Sequence, residues 1–213
     1  DRHRSVVAGL GHHGVPRLPV RQGVHRCSLG LPDRAVLDPG RFFQTNVLGT
    51  QRLLEACRRV GLARFHHVST CEVYGDLALD DPGSFPESAP YRPRTPYNAS
   101  KAGADHAVRA YAETFGLPAT ISVCANNYGP YQFPEKVIPL FVTRALDGLP
   151  LPVYASSANR REWLHVDDHC AAIARILSNG VVGTTYNVGS GVEVSVASLA
   201  AQVLDLLGLP HSM

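Results

Sequence analysis

From residue 37 onward, segments with helical spacing take turns with short β-rich runs, and this alternation constrains the fold more than any other feature. PGRFFQTNVLGTQRLLEACRRVG (39–61) carries apolar side chains at Phe43, Val47, Leu54 and Cys57, the three- and four-residue steps of one helix face, and Gly61 ends it. RFHHVST (64–70) reads as a strand, followed by a loop rich in Pro, Asp and Ser over 76–96. PYNASKAGADHAVRAYAETFG reads as a second helix, with Pro96 at its start and Gly116 beyond its end. ATISVC (119–124) is a strand and PEKVIPLFVTRALDG (134–148) a helix. VDDHCAAIARILSNG (166–180) is another helix, opened by acids that suit its dipole. TTYNVG (184–189) is a strand, and SVASLAAQVLDLLG (195–208) a last helix capped by Ser195. The pattern predicts an α/β protein with a parallel sheet covered by helices.

Residues 1–36 break the pattern. They are rich in Arg, His, Gly and Pro, and neither structural period persists. A literal GxGxxG stands at Gly9, Gly11 and Gly14, after SVVA. A dinucleotide-binding loop needs a helix directly after it, and Pro16 and Pro19 interrupt that stretch. It also needs an acid about 20 positions on, closing a second strand. Asp33 has the distance, but GVHRCSLGLP before it makes a poor strand, so the match reads as chance.

Composition sets the broad class. The 213 residues carry a net charge of +2, too balanced to indicate a nucleic-acid or membrane surface. No apolar stretch approaches the roughly 20 residues that span a bilayer, and no signal-peptide pattern opens the chain, so a cytoplasmic location is expected. The five cysteines (27, 57, 71, 124, 170) have neither disulfide nor zinc-ligand spacing, and no metal site is expected.

The sharpest local signal for chemistry is TPYNASKAG. Tyr97 and Lys101 stand four apart near a helix start, so their side chains share one face. An ammonium beside a phenol favours the phenolate and turns a tyrosine into a usable base. Alone, that spacing is also met on ordinary exposed helix faces.

It has company. FHHVSTCEVYGDL, TPYNASKAGADH and NNYGPYQFPEKVIPL follow PDRAVLDPGRFFQTNVLGT, and PLPVY and YNVGSG come later. Six blocks in this order, over about 33–200, resemble the extended short-chain dehydrogenase/reductase family, closest to nucleotide-sugar dehydratases of the dTDP-glucose 4,6-dehydratase type.

The resemblance implies a partial Rossmann-type, doubly wound parallel sheet with part of a small α+β substrate-binding domain. It implies domains at 33–128 (NAD-binding) and 129–213 (substrate-binding, incomplete), after an aberrant segment 1–32 lacking a cofactor loop. It implies NAD-mediated oxidation at C4 of the sugar, elimination of water across C5 and C6, and return of hydride to C6. Tyr97 would be the base, with Lys101 lowering its pKa and holding the nicotinamide ribose. Thr70 would bond the C4 oxygen and Glu72 would take the C5 proton. Thr45 and Asn127 match cofactor positions. Asn126, Lys136, Val137, Tyr154, Arg161 and Asn187 match positions that hold the nucleotide-sugar substrate, where cations suit a diphosphate. Asn126 and Asn127 also read as turn residues before Gly129, and Lys136 as a solvated helix residue. Pairing through helices like 42–60 and 97–115 implies a homodimer.

Two departures qualify this. Such dehydratases carry Thr-Asp-Glu where this chain has Thr70, Cys71 and Glu72, and that Asp protonates the departing C6 hydroxyl. A thiol with pKa ~8.5 is a weaker acid, so elimination is expected to slow while C4 oxidation is spared. Regular strand alternation would turn Cys71 away from its neighbours, but the family bends there. The short N-terminal stretch implies weak NAD binding, and Gly30 replaces a serine that contacts substrate. The readings left open are a UDP-glucuronate decarboxylase or nucleotide-sugar epimerase on the same fold, and a non-catalytic remnant or binding protein.

Overall fold

A computed structural model describes residues 22–25, 32–81, 83–153 and 159–211. They form two compact units that interleave along the chain. One gathers the described residues up to Asp76 with Ser84–Cys124 and Ala171–Val188; the other gathers Leu77–Gly83, Ala125–Cys170 and the residues from Gly189. The first unit's central stretch ends at Cys124, and residues 171–188 belong with it.

The first unit is built on four parallel strands: β1 (Gln22–His25), β2 (Arg64–Thr70), β3 (Ala119–Cys124) and β6 (Thr185–Val188), in that order. His25 lies opposite His67, Thr70 opposite Cys124, and Cys124 opposite Val188. The stretch expected to make a poor strand therefore supplies β1. Four residues suffice because β2 offers a full parallel ladder and His25 is buried, its Nε2 3.1 Å from Thr50 Oγ1.

Helices cover this sheet, as parallel connections require. The predicted helix over 39–61 forms as α2 (Pro39–Phe42), a π-helical turn (Phe43–Leu48) and α3 (Gly49–Arg59), after a short α1 (Pro32–Leu37). The π turn brings Asn46 to 0 % exposure, where its amide donates to Ser100 Oγ at 2.8 Å. Such turns recur at functional sites. Helix α4 (Pro96–Phe115) is capped by Thr95, which accepts the Asn98 N–H, and is ended by Gly116 at φ 66°. Its inner face packs Val108 against Phe65, Leu54, Ile121 and Val123, each such side chain contributing about 1.5–3 kcal/mol on burial.

The second unit contains β4 (Asn126–Tyr128), β5 (Arg160–His165) and β7 (Glu193–Ser195), with β4 parallel and β7 antiparallel to β5. Helices α5 (Val137–Leu146) and α7 (Val196–Leu207) enclose a separate core of Phe141, Ala145, Leu151, Ala200, Val203 and Leu204. Ser195 caps α7 as predicted, accepting the Ser198 N–H. Helix α5 starts at Val137, three residues later than the sequence pattern indicates. Helix α6 (Val166–Asn179) enters the first unit at Ala171. There the Arg64 guanidinium caps its end, donating to the carbonyls of Ile176 and Gly180. No helix among the described residues is long and apolar enough to cross a membrane.

Candidate functional site

In the first unit, α4 follows β2 through a loop, so it starts near the C-terminal strand ends, where open α/β sheets bind ligands. Tyr97 and Lys101 occupy its first two turns. Lys101 is 2 % exposed, and its Nζ donates to the carbonyl of Val68 on β2 at 2.9 Å. Tyr97 is half-buried, its ring meeting Phe42 edge-on at 6.2 Å. Its carbonyl accepts the Ser100 hydroxyl, which in turn accepts from Asn46, so the π turn braces the start of α4. Thr45, beside Asn46 in that turn, is half-buried.

Strand β2 ends at Thr70, and Cys71–Val73 forms a single 3₁₀ turn. The alternation that would turn Cys71 away therefore stops one residue before it, in keeping with the expected bend. Successive side chains of a 3₁₀ turn fan out by about a third of a circle. Thr70 Oγ1 accepts the Glu72 N–H at 3.4 Å. Cys71 is half-buried and packs against the core that contains Leu54 and Val73. Glu72 is half-buried as well.

A polar network that the sequence reading missed lies behind Lys101. Asp105, at 0 % exposure, accepts the hydroxyls of Ser69 (2.7 Å) and Tyr91 (2.9 Å) on Oδ2, and its Oδ1 lies 3.1 Å from His67 Nε2. Arg109 donates to Tyr91 Oη and Thr185 Oγ1, and stacks over the Tyr91 ring. Burial drives His67 below the ordinary imidazole range, although its contact with Asp105 opposes this. Burial likewise takes His25 down to about 3, with His67 and Lys101 adding to the effect. Both rings are neutral near pH 7. The signal in the sequence was one acid, four residues after Lys101, on an otherwise alanine-rich helix.

Asn187, on β6, has its amide engaged at both ends: it accepts from Tyr74 Oη and donates to the Phe85 carbonyl. Its placement ties β6 to the 84–91 loop.

The second unit holds most of the residues expected to contact substrate. Asn126 donates to the Glu162 carbonyl, joining β4 to β5. Asn127 donates to the Ala125 carbonyl, and its Oδ1 lies 2.7 Å from His169 Nδ1. Lys136 is the N-cap residue of α5, its ammonium 3.9 Å from Glu135 and 37 % exposed, and Val137 opens the helix, half-buried. Arg161 is exposed on β5. Tyr154, and Gly9, Gly11 and Gly14 of the glycine motif, lie outside the described residues.

A model of the NAD dependent epimerase/dehydratase family matches residues 18–189. The chain belongs to that family. The epimerase/dehydratase match includes β1, so the family-like part begins well before residue 33, where the sequence blocks had placed it. A dTDP-glucose 4,6-dehydratase of Streptomyces antibioticus is 47% identical over 188 residues, covering 88% of this chain and 55% of that protein. One from Neisseria meningitidis is 48% identical, covering 82% of this chain and 52% of that protein. The epimerase/dehydratase chain thus spans about half the length of the curated relatives it matches. Among solved structures, the dTDP-glucose 4,6-dehydratase DesIV of Streptomyces venezuelae, with NAD bound, superposes with TM-score 0.86 at 49% identity, over 90% of this chain and 58% of that one. A UDP-glucose 4-epimerase of Thermus thermophilus, in complex with NAD, gives 0.83 at 30%, over 89% and 63%. The Rossmann-type fold and the dehydratase resemblance expected from the sequence are borne out.

Proposed function

We propose that this chain carries the catalytic segment of a nucleotide-sugar 4,6-dehydratase that converts dTDP-glucose to its 4-keto-6-deoxy product with NAD. The observation that carries the reading is the placement of Lys101, enclosed at 2 % exposure and one turn from Tyr97, on the helix that begins beside the C-terminal strand ends. The names of the relatives near half identity support the substrate class, and the lower identity of the epimerase ranks that alternative second.

Tyr97 Oη takes the proton of the C4 hydroxyl, and the Lys101 charge favours the resulting phenolate. Thr70 Oγ1 already accepts from Glu72, which leaves its O–H to donate to the C4 oxygen. Once C4 is a ketone, the Glu72 carboxylate removes the acidified C5 proton. That electron pair forms the C5–C6 double bond and expels the C6 hydroxyl, which must acquire a proton to leave as water. Cys71 stands where an acid would deliver it, and its thiol slows this step by about 10²- to 10⁴-fold.

NAD, when bound, supplies the hydride acceptor at C4 and the donor at C6. The residues present fit its nicotinamide end, since a buried cation and a half-buried phenol on one helix suit a polar ribose. Thr45, Tyr97, Lys101 and Asn127 are the residues that would hold it. Asn126, Lys136, Val137, Arg161, Asn187 and Tyr154 form the proposed substrate set. A homodimer and a cytoplasmic location belong to the same proposal; the exposed Phe43, Leu48 and Phe115 on the helical layer support pairing.

Proton NMR of the chain incubated with NAD and either dTDP-glucose or UDP-glucuronate tests the reading. Product from dTDP-glucose alone, absent in Tyr97→Phe, is expected. Decarboxylation of UDP-glucuronate, or product undiminished in Tyr97→Phe, would overturn it. Calorimetry with dTDP and with NAD identifies a remnant, which binds neither.

A further inference from the structure

Asp105 is a charged group with 0 % exposure, and packing does not explain it. Burial pushes its carboxyl up, but the His67 contact, the Lys101 charge and the Ser69 hydroxyl overcome this and hold it below the ordinary carboxyl range. A buried charge is costly, and an apolar side chain of similar volume in its place is often neutral or stabilising. The helix shows what the charge is near. Tyr97, Lys101 and Asp105 follow at four-residue steps on α4, so phenol, ammonium and carboxylate occupy successive turns of one face.

The other ionisable groups around them carry little compensating charge. His67 from β2 and His25 from β1 are held neutral by burial. Tyr91 from the 84–91 loop and Tyr74 after the 3₁₀ turn are held neutral in the same way. Arg109, further along α4, binds Tyr91 Oη and Thr185. Glu87 accepts the Asn187 N–H, and Cys71 and Glu72 lie in the turn past β2, with Cys124 ending β3. On α3, Cys57 is buried in the core, while Glu55, Arg58 and Arg59 pair on its outer side. The Lys101 charge acts on Asp105 and holds its carboxyl low, so without that carboxylate the buried ammonium would lose this attraction in a low-dielectric interior.

We propose that Asp105 is the counter-charge that keeps Lys101 protonated inside the fold, a positioning residue that sets the pH range over which Lys101 acts on Tyr97. The second clause rests on the reading of Tyr97 as the base; the first does not. Removing a negative charge disfavours every neighbouring protonated form, so in Asp105→Asn both Lys101 and Tyr97 release their protons at lower pH. A purely structural role would lower stability without moving either titration.

The chain contains two lysines, Lys101 and Lys136, so protein labelled with ¹³Cε-lysine gives two resonances, assigned with Lys136→Arg. In Asp105→Asn the Lys101 midpoint is expected to fall by about one pH unit or more, and Asp105→Glu to restore it. An unmoved midpoint in folded Asp105→Asn overturns the proposal. If that variant does not fold, the unmodified chain decides: Lys101 at the charged-form shift at pH 8 supports the counter-charge, and the neutral-form shift contradicts it. No substrate or NAD enters the measurement, so failure of the dehydratase assay leaves this result standing.

Discussion

Lys101 Nζ reaches from α4 to the carbonyl oxygen of Val68 on β2, 2.9 Å away, in a setting where only 2 % of the residue meets solvent. That bond fixes the ammonium against the strand that ends in Thr70, so the proposed base, its cation and the C4-binding hydroxyl come from one helix–strand contact.

Replacing Cys71 with Asp restores a carboxylic acid at the 3₁₀ turn, next to Glu72. Formation of the 4-keto-6-deoxy product is expected to rise by about 10²- to 10⁴-fold, read by NMR of the product. An unchanged rate would mean that the thiol is not what limits elimination.

Glu72→Gln removes the proposed base for C5 while leaving Tyr97 and Lys101 in place. In D₂O, incorporation of deuterium at C5 is expected to fall by at least about 10²-fold. Undiminished incorporation would assign that proton to another group.

The buried imidazoles make stability depend on pH. His25 has a folded pKa of about 3, against 6.5 when unfolded, so the unfolded chain binds the proton more readily between these values. Stability is therefore full above about pH 6.5 and lost as pH falls, by about 1.4 kcal/mol per pH unit for this one ring. His67 is shifted in the same direction. Melting curves at pH 7, 6 and 5 are expected to show a steady loss of Tm that His25→Gln reduces. A flat Tm would show that the rings charge freely in the fold.

Tyr91→Phe deletes a hydroxyl that donates to Asp105 and accepts from Arg109. The Arg109 donor and the buried carboxylate each lose a partner, at a cost of about 1–3 kcal/mol, measured by urea unfolding. A change under 0.5 kcal/mol would mean that the network relaxes around the loss.

Most of the first unit was legible in the sequence because apolar periodicity and helix-end residues agreed: Pro96 and Gly116 bracket α4 as the sequence indicates. Strand β1 was not, since its pairing with β2 and the His25–Thr50 contact are long-range. Strands β4, β5 and β7 were missed for a related reason: RREWLH is half-exposed and polar, and only its neighbours make it a strand. The π turn left no trace, because Asn46 is explained only by Ser100, 54 residues away. Tyr97 and Lys101 were visible as a local spacing, whereas the environment of Asp105 draws on β2, the 84–91 loop and α4 together.

The ionisation of Tyr97 shows whether Lys101 acts on the phenol. It is read as the ultraviolet difference between the chain and Tyr97→Phe across pH, with Lys101 intact and as Lys101→Met. Removing the cation is expected to move the phenol's midpoint up by about one to three pH units. The same midpoint in both backgrounds would contradict it.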